Sequence, residues 1–244
     1  MPIGGIPTEW DCRVVYYSDY LSSLEEFLEK EARILDERYD AEVQEIIAEN
    51  KKRTNRSDHT FPPQLDEVEL EVGALEYLFF EEEHKLENIF PNMLRRSFFV
   101  AVYSLIERQL NGICREQERS KGLPKQLEKV DKPPDQSIRR ADKYLTDVAK
   151  IRFPESSEWE ELLKYQKLRN CIVHNEGKLE GMRKREDKAE LKQYIEDSHG
   201  FLALSSYGDE IIFRKGFCEK VLQVSRRFFT DLFAALTSEE KGDF

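Results

Sequence analysis

The chain holds four histidines and 19 arginines, and Arg169 and His174 stand together in Leu168-Arg169-Asn170-Cys171-Ile172-Val173-His174-Asn175. A histidine that titrates near neutral pH transfers protons as a general acid or base. A guanidinium grips a phosphate through parallel N–H donors and stabilises charge building on its oxygens. Together they suffice for phosphodiester transfer without a metal: a ribose 2′-hydroxyl attacks the adjacent phosphate, the imidazole moves protons, and the guanidinium holds the phosphorane. Asn170, four residues before His174, shares its helix face.

The spacing alone carries little weight. With this composition an Arg-x4-His pair arises by chance in roughly one chain in three, and the sequence contains its own decoy of nearly equivalent Arg-x5-His spacing, Arg53 and His59, in a polar stretch ended by Pro62-Pro63. That stretch offers no packed scaffold to fix a geometry. Arg169 and His174 instead close an amphipathic segment, where the helix macrodipole favours a cation. On residue chemistry alone, a surface ion pair from Arg169 to Glu160 or Glu176, with His174 capping its own helix, stays open.

The elements that must position these residues are helical. Leu21, Leu24, Leu28, Ala32, Leu35, Tyr39, Val43 and Ile46 recur every three or four residues. They predict a helix from Tyr16 to about Asn50, about 50 Å long, after an irregular start over residues 1–15. Lys51–Pro63 reads as a linker, and Leu65, Val68, Val72, Leu75 and Phe79 as a second helix ending near Phe90-Pro91. Pro91 opens a third, to about Arg119, with a broad apolar stripe. Gly122–Asp135 reads as a loop, followed by a helix carrying Ile138, Ala141, Tyr144, Leu145 and Val148. Ser156 or Ser157 is the N-cap of the motif helix and Gly177 its stop. A charged insertion over about 178–214 holds a modest helix and a β-hairpin around Tyr207-Gly208-Asp209, and a last helix runs from Phe217 to Leu236. The division expected is 1–62, a long helix and linker, and 63–244, a helical bundle.

Composition narrows the classes. The net charge of −11 argues against a broad nucleic-acid surface, which depends on neutralising many phosphates, and leaves room for a local basic site. Lys164, Lys167, Lys178, Arg183, Lys184 and Arg185 could guide RNA, but they are interleaved with acids, the pattern of a solvated face. Four dispersed cysteines suggest a reducing, cytoplasmic setting, with Cys114 and Cys171 as small core residues. No apolar run approaches the roughly 20 residues that span a bilayer. Two Glu-x-x-His pairs, Glu81/His84 and Glu196/His199, match the elements of a di-metal helical bundle. With 34 glutamates chance accounts for them, so neither metal nor cofactor is expected.

The run Leu-Arg-Asn-x-Ile-Val-His-Asn, closing a helix and followed by Gly177, resembles the signature of the HEPN superfamily, and Ser97–Leu110 resembles that family's first core helix, an apolar run broken by the acidic Glu107. The likeness covers about residues 91–240. It implies an all-α, HEPN-like helical bundle and a metal-independent ribonuclease of toxin–antitoxin or antiviral defence systems. Arg169, Asn170 and His174 map onto the motif positions, with Glu107 as a further site residue. It also implies a homodimer whose two motifs form one composite site, RNA as substrate, and an antitoxin or regulatory protein as partner. The long first helix lies outside the likeness. A non-catalytic HEPN-like interaction module is the competing expectation.

Overall fold

The computed structural model describes residues 6–56, 65–123, 127, 138–206 and 209–240. The chain is predominantly helical. Helix α1 spans Ile6–Arg56, longer at both ends than periodicity predicts. Pro7 sits in its first turn, where a missing N–H costs nothing, and the supposedly irregular start is helical from Ile6 onward. The rest of the expected linker, including His59 of the decoy pair, lies outside the described residues.

Helix α2 covers Leu65–His84 and runs through a π-helical turn, Lys85–Ile89, directly into α3, Phe90–Lys121. The Phe90 N–H bonds back five residues to the Lys85 carbonyl. Widening the ladder here accommodates Pro91, which has no N–H and whose ring crowds the carbonyl four residues earlier. Helix α4, Ile138–Lys143, ends in a second π turn, Tyr144–Val148. Helix α5 covers Ser157–Asn175, α6 Arg185–Glu196 and α7 Phe217–Glu240. Between α6 and α7 lie strands β1, Leu202–Leu204, and β2, Ile211–Phe213, paired antiparallel with Leu202 opposite Phe213. The hairpin therefore forms where the apolar runs predict it, while Tyr207 and Gly208 at its turn lie outside the described residues.

Two compact units result: Met1–Asp19 with Arg95–Phe244, and Tyr20–Leu94. The boundary read near residue 62 falls inside the second. The core of the first is aromatic. Phe99 is fully buried, with the rings of Tyr165, Phe213 and Phe217 at 5.5–5.9 Å and Tyr103 at 6.4 Å. Phe153, Trp159 and Phe228 form a second cluster, and Trp10 packs on Phe229 at 4.5 Å. In the second unit α1 meets α2 through Tyr39 and Phe79, 5.2 Å apart, with the Arg38 guanidinium over the Phe79 ring. Among the described residues no helix is long and apolar enough to cross a membrane.

Candidate active site

Helix α5 starts at Ser156, whose side chain accepts a hydrogen bond from the Trp159 N–H at 3.3 Å. Trp159, Leu162, Tyr165, Gln166, Leu168 and Cys171 are buried, which fixes the helix's rotation and sets the facing of the motif. Asn170 and Arg169 are half-buried and His174, in the last turn, is exposed.

Five residues turn a helix by 500°, so Arg169 and His174 of one chain point about 140° apart around the axis. Arg169 lies on the flank toward Glu107 of α3, whose carboxyl its charge influences. Burial pushes the Glu107 carboxyl above its ordinary range, and the Arg169 charge offsets part of that rise. Arg169 Nη1 donates to Asn170 Oδ1 at 3.1 Å, while its buried Nε has no acceptor among the described residues. Neither Glu160 nor Glu176 pairs with Arg169; among the described residues its hydrogen-bond partner is Asn170. Asn170 thus links the two flanks, holding the guanidinium while sharing a face with His174. The fold gathers Glu107, Arg169 and Asn170, and leaves His174 facing outward.

The end of α5 is held from several directions. Glu176 adopts the left-handed conformation at φ 56°, and Gly177 follows at φ 79°. Gly177 stands as the stop just beyond the helix, as the sequence points to it, and the Glu176 and Gly177 N–H groups both turn to the Cys171 carbonyl. Arg96, near the start of α3, donates through Nη2 to the Glu176 carbonyl and through Nη1 to the Glu210 carboxylate at 2.7 Å. A Cβ on Gly177 would come within 2.9 Å of the Arg96 guanidinium carbon, so a side chain there would displace Arg96 as well as strain the positive φ. The Ile211 N–H donates to the Gly177 carbonyl, Leu179 N–H to the Asp209 carbonyl, and the Asn175 amide nitrogen, in the orientation its neighbours require, to the Gly181 carbonyl at 2.8 Å. Arg96 is the positioning residue that sequence reading misses. Its partners lie 80 and 114 residues away, and no local pattern reports them.

The surrounding charges are largely matched. Lys164 pairs with Glu161, Lys167 with Asp187 and Glu190, and Lys178 with Glu176, as a solvated face would have them. A cavity of about 450 Å³ beside α5 is lined by Lys164, Lys167 and Lys220 against Glu161, Glu190 and Asp197, so it offers no net attraction for phosphate. Burial pushes the Glu161 carboxyl up, but the Tyr194 hydroxyl at 2.7 Å and Lys220 at 2.9 Å prevail and hold it below the ordinary range.

Two of the buried thiols are no nucleophiles near neutral pH: burial pushes Cys171 up to about 11 and Cys114 up to about 12. The two Glu-x-x-His pairs fall in different compact units. Among the described residues no group of three His, Cys, Asp or Glu side chains could hold a metal. No family model, curated protein or solved structure matches the chain.

Proposed function

We propose that this chain is a metal-independent endoribonuclease of the HEPN type, acting as a toxin or defence effector. The observation that carries the reading is the placement of Arg169 and Asn170, half-buried, and His174, exposed, at a helix end that the fold clamps. Such clamping is what a catalytic geometry needs. The divergence of Arg169 and His174 within one chain favours a site built from two copies, in which one protomer's His174 meets its partner's guanidinium.

In that site the imidazole takes the proton of the ribose 2′-hydroxyl as its oxygen attacks phosphorus. Arg169 stabilises the charge on the non-bridging oxygens. The P–O5′ bond breaks, the 5′-oxygen leaves with a proton from the second imidazole, and the products are a 2′,3′-cyclic phosphate and a 5′-hydroxyl. Asn170 holds the guanidinium in place.

The test is incubation with structured RNA in EDTA. Wild type should leave 2′,3′-cyclic phosphate ends, and Arg169→Ala and His174→Ala should each slow cleavage by about 10²-fold or more while keeping the wild-type circular dichroism spectrum. Intact RNA with folded wild type would sink the reading and favour the second one, a non-catalytic interaction module. The exposed apolar residues of the α1–α2 unit support that alternative.

A further inference from the structure

The unit Tyr20–Leu94 leaves large apolar side chains in water. On α2, Leu70, Tyr77, Leu78 and Phe80 are 72, 66, 63 and 64% exposed. Leu70, Gly73, Ala74, Tyr77 and Phe80 recur at three- and four-residue steps, so they form one stripe along the helix. The small pair Gly73-Ala74 is itself exposed, and a Cβ on Gly73 would meet nothing within 4 Å. Beside the stripe a groove of about 610 Å³ runs between α1 and α2, walled by Leu35, Tyr39, Gly73, Tyr77, Phe79 and Phe80. Leu70, Tyr77 and Phe80 together expose on the order of 400 Å² of largely apolar surface, a size of patch that on monomers is often functional.

The rim identifies the occupant. Asp36, Glu76 and Glu83 line the groove, and Glu81 and Glu82 stand next to it. The nearby cation Arg38 is engaged by Glu42 at 3.3 Å and Glu82 at 3.8 Å. Residues 20–94 carry 20 acidic against 8 basic side chains, a net −12. Two copies of such a face would bring like charges together, whereas a basic surface is attracted and steered. A stripe stepped by three and four residues beside an aromatic groove matches the way amphipathic helices are gripped.

We infer that the α1–α2 unit is a docking site for a basic amphipathic helix presented by a partner protein. The apolar face of that helix seats against Tyr77 and Phe80, and its lysines and arginines meet Asp36, Glu76 and Glu83. The inference stands apart from the ribonuclease reading, since none of these residues belongs to the motif.

The test uses the full chain and a fluorescein-labelled synthetic helix of about 20 residues, about 30 Å long, with leucines at helical spacing and lysine and arginine elsewhere. Fluorescence anisotropy should show saturable binding that weakens with salt. Tyr77→Ser and Phe80→Ser should each weaken it about tenfold, as should the double variant Glu76→Lys/Glu83→Lys, with thermal unfolding unchanged in all three. A scrambled peptide of the same composition, and one with glutamate in place of the basic residues, should bind at least tenfold more weakly. Equal binding of the scrambled or the acidic peptide overturns the proposal, as does no saturation by about 100 µM. Sedimentation showing a dimer that Phe80→Glu dissociates also overturns it, because a second copy would then be the occupant.

Discussion

The two compact units use their side chains in opposite ways. Residues 20–94 carry a net charge of −12, while Met1–Asp19 and Arg95–Phe244 together carry 30 basic and 29 acidic residues, a net +1. The unit with Arg169 and His174 buries most of its aromatics, in one cluster around Phe99 and a second of Phe153, Trp159 and Phe228. The α1–α2 unit holds Phe27, Ile34, Leu70, Tyr77 and Phe80 out to solvent. A whole-chain charge of −11 therefore describes neither half. Acidity disfavours RNA at the α1–α2 unit alone, since the unit that carries Arg169 and His174 is close to neutral.

Truncation is the sharpest way to probe this contrast. Phe99→Ala removes a fully buried ring from between Tyr165, Phe213 and Phe217. It should lower stability by about 3–5 kcal/mol, measured by urea denaturation. Removing the N-cap by Ser156→Ala, which orphans the Trp159 N–H, should cost about 1 kcal/mol in the same assay.

A smaller effect, opposite in sign, is expected at Glu107. Burial raises its folded pKa, with the Arg169 charge offsetting only part, so the folded chain binds that proton more tightly than the unfolded chain. Its contribution to stability is full below the ordinary carboxylate range and declines as pH rises through the raised value. Glu107→Gln should therefore unfold at higher urea than wild type at pH 7, and the difference should close near pH 4, below the usual glutamate value of about 4.3.

Smallest of all should be Leu70→Ser, which alters a side chain 72% exposed and should change stability by less than about 0.5 kcal/mol. A loss there as large as that of Phe99→Ala would erase the contrast between the units.

What was legible in the sequence was what neighbours in the chain decide. The Ser156 cap, the apolar face of α5 and the strands around Tyr207-Gly208 follow from local spacing, and the structure has each where expected; at Pro91 the spacing predicts a fresh helix, whereas α2 continues through a π turn into α3. The start of α1 was not legible, because the apolar three-and-four spacing begins only at Leu21, whereas the helix begins at Ile6 with Pro7 harmless in its first turn. Nor was Glu176, a residue with a Cβ, in the left-handed position next to the glycine that seemed made for it. The link from Glu107 to Arg169 could be guessed as one pairing among several, since only packing of α3 on α5 selects it. The charge division was present in the residues all along, but it shows only once the unit boundaries at residues 19–20 and 94–95 are known.

Arg96 has a consequence for the order in which this protein comes into being. The cost of closing a chain loop rises with its length, and this one side chain ties residues 80 and 114 positions downstream. A nascent chain that has emerged as far as Asn175 already contains every residue of the motif. It lacks Glu210, the strand pair and the backbone that holds Glu176 in its turn. The helix can form early, but its last turn is fixed only after the hairpin has been made and has docked. Folding thus sets the last turn of α5 only after the hairpin, and any chain interrupted before Glu210 carries the Arg169–His174 segment without its clamp.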